Sequence, residues 1–192
     1  MNEKYFESKL SQPVITLQKS RSSNLGHFTL DKVWRQKDHE EDDSRANYEI
    51  NINPLHLNAP IENIVGTLQH EMVHYANNFY GVKDCCGNVH NKKFKALAEE
   101  VGLVVTKGGS VGWGYTEPDD TLIAFIRDTI KPDEKAFEYF RGGAENTVKP
   151  VRNKTTFKYL CPGCDLVVRA KPDKRIVCGN CGCELEMEEE DE

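Results

Sequence analysis

The chain has 192 residues, a length for one main domain with a small appendage. Its 38% hydrophobic content is too high for a disordered chain, and no run approaches the roughly 18 apolar residues of a membrane span. With 25 basic against 31 acidic side chains, the net charge of −6 argues against a generalised polyanion binder, and the charged start MNEKYFESKL lacks a signal peptide's apolar region. A cytoplasmic, monomeric protein is expected.

Residues 13–18, 25–34 and 47–52 are short β-branched or alternating runs between turn formers, and each is expected as a strand. In the third, Tyr48, Ile50 and Ile52 share one face while Glu49 and Asn51 share the other, the pattern of a half-buried strand. The polar run 37–44 reads as a solvated hairpin loop, with His39 and its acidic neighbours a weaker metal candidate. From Asn58 to Phe79 the apolar residues Ile61, Ile64, Val65, Leu68, Met72, Ala76 and Phe79 recur at helical spacing. Asn58 is the candidate cap, Pro60 suits the first turn, and Gly81 closes the helix. A second helix is expected from His90 to Val101, stopped by Gly102. Residues 103–106 read as a strand, GWGYTEPDD as a turn-rich loop, and 120–130 as a helix ended by Pro132.

The first long helix carries His70-Glu71-Met72-Val73-His74, an H-E-x-x-H. Side chains four apart lie one above the other on a helix, so two imidazoles can reach one metal ion. Glu71 then points toward the water on that ion. At 100° per residue both histidines fall nearly opposite the apolar stripe, so the helix packs by one face and presents the motif by another. A catalytic zinc takes three protein ligands and leaves one position open. His90, sixteen residues after His74, is the preferred third ligand; Glu99 or Glu100, and the Asp84/Cys85/Cys86 loop, are the alternatives. Two or three thiolates would neutralise the ion and weaken it as a Lewis acid, so Cys85 and Cys86 read as a plain thiol pair.

Seven cysteines stand at 85, 86, 161, 164, 178, 181 and 183. Cys161-Pro-Gly-Cys164 and Cys178-Gly-Asn-Cys181 are two knuckles whose four thiolates make a closed tetrahedral zinc site. So short a segment buries little, and the metal supplies much of its folding energy. Cys183 competes as a fourth ligand. Residues 151–183 hold seven basic side chains against Asp165 and Asp173, followed by seven acids in 184–192. A ribbon with Lys158, Arg169, Lys171, Lys174 and Arg175, and with Phe157 and Tyr159 to stack bases, fits a nucleic-acid backbone. A solvated ribbon neutralised by its tail fits as well.

The run HEMVHYANNFYGVKDCCGNVHNKKFKALAEEVGL resembles the core of the SprT/Spartan-like metalloproteases, in which H-E-x-x-H is followed by a loop and a third His shortly before a Phe. Those positions here are His70, Glu71, His74, His90 and Phe94. PVITLQKSRSSNLGHF, YEININPLHL and GWGYTEPDD resemble the family's flanking segments, and the cysteine pairs resemble the ribbon of its bacterial and phage-type members. The resemblance implies an α+β, zincin-like domain over 1–126, a connecting segment over 127–156, a zinc ribbon over 157–185 and an acidic tail over 186–192. It implies a zinc endopeptidase with one catalytic and one structural zinc, acting on DNA-associated proteins or DNA–protein crosslinks. Glu71 would serve as general base; for the oxyanion donor Tyr115 and His27 are candidates from their position alone. Two rivals stay open: a non-catalytic nucleic-acid-binding or transcription-associated zinc protein, and a peptidase of free peptides.

Overall fold

In the computed structural model, which describes residues 1–37, 43–142 and 157–187, the chain separates into two units, Met1–Gly143 and Ala144–Glu192. The first begins with a short helix α1 (Asn2–Phe6) that buries Phe6. Strands β1 (Val14–Thr16), β2 (Gly26–Phe28) and β3 (Glu49–Ile52) then form a mixed sheet in the order β1-β3-β2. β1 runs parallel to β3, and β2 runs antiparallel to it with His27 opposite Asn51. Helix α2 (Ile61–Phe79) packs across β2 and β3. Next come the two-residue strands β4 (Cys85–Cys86) and β5 (Val89–His90), helix α3 (Lys92–Glu100), and strands β6 (Leu103–Gly108) and β7 (Gly112–Pro118). These strands make a second sheet, ordered β4-β5-β7-β6. Helix α4 (Asp120–Phe125) runs on into a π-helical turn, Ile126–Ile130, which ends at Lys131 just before Pro132.

The core lies where α2 meets both sheets. Ile50, Ile52, Ile64, Val73, Tyr75, Phe94, Leu103, Leu122 and Ile126 are all buried there. At roughly 1.5–3 kcal/mol for each large apolar side chain, this burial is what holds α2 rigid.

Four expectations are corrected. Pro60, not Asn58, occupies the cap of α2, and no side chain caps that end. GWGYTEP is strand β7, paired along its length with β6. The polar face of β3 does not meet solvent: Glu49, Asn51 and Asn53 are all buried. Trp34 Nε1 donates to Glu49, the Gln18 amide donates to Asn51, and the Thr16 hydroxyl shares its one proton between the two side chains. The amide of Asn53 donates to the carbonyls of Arg21 and Asn24. Finally, the 127–156 connecting segment packs on the core at its start, through the partly buried Ile130 and Phe137.

In the second unit β8 (Phe157–Leu160), β9 (Val167–Ala170) and β10 (Glu186–Met187) form an antiparallel sheet ordered β10-β8-β9. Glu186 and Met187 pair with Leu160 and Tyr159, so the first two residues of the expected tail belong to the sheet. Residues 188–192 of the tail, 143–156 of the connector and His39 lie outside the described residues. No helix among the described residues is long and apolar enough to cross a membrane.

Candidate metal centre

Helix α2 carries His70 and His74 one turn apart, and β5 brings His90 to them. The ligand atoms of the three lie within 4.8 Å of one another. His74 Nε2 and His90 Nε2 are 3.1 Å apart. Two nitrogens on a tetrahedral zinc at 2.0–2.1 Å stand about 3.3 Å apart, so this pair already has nearly the spacing the ion requires.

Each ring is held by its other nitrogen. His70 Nδ1 meets the Thr116 hydroxyl at 2.9 Å, His74 Nδ1 meets Asp84 Oδ2 at 2.7 Å, and His90 Nδ1 meets the Val111 carbonyl at 3.1 Å. A carbonyl or carboxylate behind Nδ1 fixes the proton there and leaves Nε2 as the lone-pair donor. Phe94, fully buried, supports all three rings from α3, with centroid distances of 4.7, 4.7 and 4.5 Å to His70, His74 and His90. Strand β7, which carries Thr116 and follows Val111, comes this close because Gly114 has no side chain: a Cβ there would lie 2.5 Å from His90 Nδ1.

Burial and the two neighbouring imidazoles hold His70 well below the usual histidine range, and burial with His74 lowers His90. Both therefore present neutral rings, the form that binds metal. Burial raises Glu71 to about 7, against the opposing pull of His74 and the Phe28 amide. Burial also pushes Asp84 upward, but the bonds from His74 and Asn77 outweigh it and keep Asp84 a carboxylate. Burial and the adjacent Asp84 push the Cys85 thiol up to about 12, so Cys85 is an inert thiol at neutral pH.

His74, Asp84 and Cys85 form a second close group, but Asp84 reaches the nitrogen of His74 that faces away from His90. Asp84 thus backs the histidine set. Glu99 and Glu100 sit exposed on α3, with Glu99 paired to Lys95, and neither joins the three histidines. A groove of about 2000 Å³ passes over the histidines between β2 and β7 and is lined by Glu71, His27 and Tyr115 among others. Sequence reasoning missed Thr116, the Val111 carbonyl and the Phe28 amide, because their roles arise from long-range strand placement.

The other cluster lies in the second unit. Cys161, Cys164, Cys178 and Cys181 place their sulfurs within 4.8 Å of one another. Separations of 3.2, 3.5 and 3.8 Å are far beyond a disulfide and approach the edge of about 3.8 Å expected for four thiolates at 2.3 Å from zinc. Two similar turns shape it: Asp165 N–H donates to the Cys161 carbonyl, and Gly182 N–H to that of Cys178. The amides of Asn180 and Cys181 draw the Cys178 thiol down to about 6. Cys183 lies outside the four.

Arg169, Lys171, Lys174 and Arg175 are exposed, and Lys158 sits opposite Arg169 across β8 and β9. The expected stacking role of Tyr159 is corrected. The ring is 3% exposed, and its hydroxyl donates to the Lys171 carbonyl and accepts the Lys174 amide. Tyr159 therefore shapes the basic loop from inside, and Phe157 packs on the same small core.

The model of the SprT-like family matches residues 1–111, the stretch that contains His70, Glu71, His74 and His90. No curated protein and no solved structure matches the chain significantly.

Proposed function

Because the chain belongs to the SprT-like family, we propose that it is a zinc-dependent endopeptidase acting on proteins associated with DNA, including DNA–protein crosslinks. One observation carries the reading: three histidines bring their ligand nitrogens within 4.8 Å of one another, each ring anchored through Nδ1, with a buried glutamate beside them at the floor of an open groove. A purely structural site would be closed by a fourth ligand. Here the three described ligands leave a side open to the groove.

Zinc, when held by His70, His74 and His90, supplies Lewis-acid polarisation of a scissile carbonyl and lowers the pKa of the attacking water. Glu71 accepts the proton of that water and delivers it to the departing amine. Asp84, Thr116 and the Val111 carbonyl keep the imidazoles aimed while this happens. His27 and Tyr115 line the groove and are the side chains available to the oxyanion.

The second zinc belongs to the four ribbon thiolates, and the half-buried Lys158 with the exposed Arg169, Lys171, Lys174 and Arg175 are the proposed contacts to nucleic-acid phosphates. The test is digestion of a histone and of casein by the purified chain, with and without single-stranded DNA. DNA-stimulated cleavage supports the DNA-associated substrate. Cleavage indifferent to DNA leaves a peptidase of free polypeptides.

A further inference from the structure

We infer that the edge strand β2 sets the position of the Glu71 carboxylate, with Gly26 the residue that makes its place. The inference rests on the proposed role of Glu71 as general base and deepens it. The pairing of β2 with β3 decides which backbone groups are free. Leu25 accepts the Asn53 amide at 2.8 Å, Thr29 donates to the Glu49 carbonyl at 3.0 Å, and His27 lies opposite Asn51. These odd-numbered residues spend their backbone on β3, so Gly26 and Phe28 turn theirs outward at the sheet edge. The Phe28 amide there faces the Glu71 carboxylate and lowers its proton affinity.

Gly26 supplies the room. A Cβ at that position would lie 3.1 Å from Glu71 Oε1, 3.2 Å from its Cγ and 2.8 Å from the Asn51 carbonyl oxygen. The backbone of Gly26 is not in the left-handed region, so nothing about its conformation demands glycine. What demands it is the closeness of the Asn51 carbonyl oxygen, the tightest of the three contacts, and next to it that of Glu71. The Glu71 carboxyl is buried, at 5% exposure, and has little freedom to retreat.

The strand itself is held firmly. The Phe28 ring stacks on Tyr75 of α2 at 5.2 Å, and Asn51 and Asn53 clamp the segment that leads into β2. Strand and helix therefore meet at fixed separation, and the carboxylate sits where the Phe28 amide and the bare Cα of Gly26 allow. A displacement approaching 1 Å of a reacting group can cost about a hundredfold in rate.

The experiment uses the full-length zinc-loaded protein and the variants Gly26→Ala, Glu71→Asp and their combination. Gly26→Ala is expected to lower kcat about 10- to 100-fold, with KM within about twofold and zinc content unchanged. Glu71→Asp withdraws the carboxylate from the space the new Cβ claims. The Asn51 contact costs both backgrounds alike, so Gly26→Ala should cost severalfold less in the Glu71→Asp background than in the wild type, a non-additivity that general damage to the sheet would not produce. A second readout needs no catalysis: the Phe28 amide proton resonance should move in both Gly26→Ala and Glu71→Gln. Equal fold losses in the two backgrounds, or a Phe28 resonance indifferent to both substitutions, would overturn the inference. A wild type that binds zinc yet cleaves nothing would instead sink the peptidase reading, and the Phe28 resonance would still decide the contact.

Discussion

Replacing Asp84 by Ala should loosen the metal from α2 without unfolding the first unit. Asp84 Oδ2 accepts from His74 Nδ1 at 2.7 Å and from Asn77 Nδ2 at 3.1 Å. Removing it strands two donors in a largely buried place, and a lost bond to a charged group is worth about 1.5–3 kcal/mol. His74 would then be free to rotate or to exchange its proton between nitrogens. Loss of such a partner typically costs 10–100-fold in metal affinity, which is about 1.4–2.7 kcal/mol. Asp84→Asn keeps the shape and one acceptor, so its loss should lie near the lower end, about tenfold. The assay is competition for zinc with a chromophoric chelator, in which the ribbon ion serves as an internal reference that should not change. Asp84→Ala with wild-type affinity at the weaker-held zinc would refute the reasoning. An affinity loss beyond about a thousandfold would make Asp84 a ligand rather than a support.

Elemental analysis of protein purified without added metal should find two zinc ions per chain, and deleting the ribbon should remove one. His90→Ala should lose activity and the first zinc while Glu99→Ala and Glu100→Ala keep both; the reverse result would replace His90 as the ligand. Phe94→Ala empties the fully buried position beneath all three imidazoles, so it should destabilise the fold by about 3–5 kcal/mol in denaturant titrations and weaken zinc binding as well. Exchanging Arg169, Lys171, Lys174 and Arg175 for Ser should flatten the salt dependence of DNA binding while activity on a free peptide persists; an unchanged slope would remove the ribbon from the DNA contact.

The parts legible in the sequence are those written in local spacing. His70 and His74 stand four apart on an amphipathic helix, and the two cysteine knuckles each close within a turn, so helix and ribbon need no distant information. The parts that were not legible depend on partners far along the chain. Gly112 and Gly114 made β7 look like a turn, yet Gly114 is small because His90 occupies the space beside it. Glu49 and Asn51 read as solvent-facing by alternation, yet Trp34, Thr16 and Gln18 cover and satisfy them. Tyr159 read as a stacking surface because nothing local shows that its hydroxyl closes the loop at Lys171 and Lys174. Asn58 lost the cap of α2 to Pro60, whose fixed backbone dihedral starts the helix without a capping side chain.

The central claim is that an open histidine-held zinc works with Glu71 as its base. The most direct measurement is kcat on a casein-derived peptide for wild type and Glu71→Gln at equal, independently measured zinc occupancy. The account predicts that Glu71→Gln keeps both zinc ions and its melting temperature while kcat falls by about 10²–10⁴. A fall of less than about threefold would make Glu71 dispensable to hydrolysis and contradict the account.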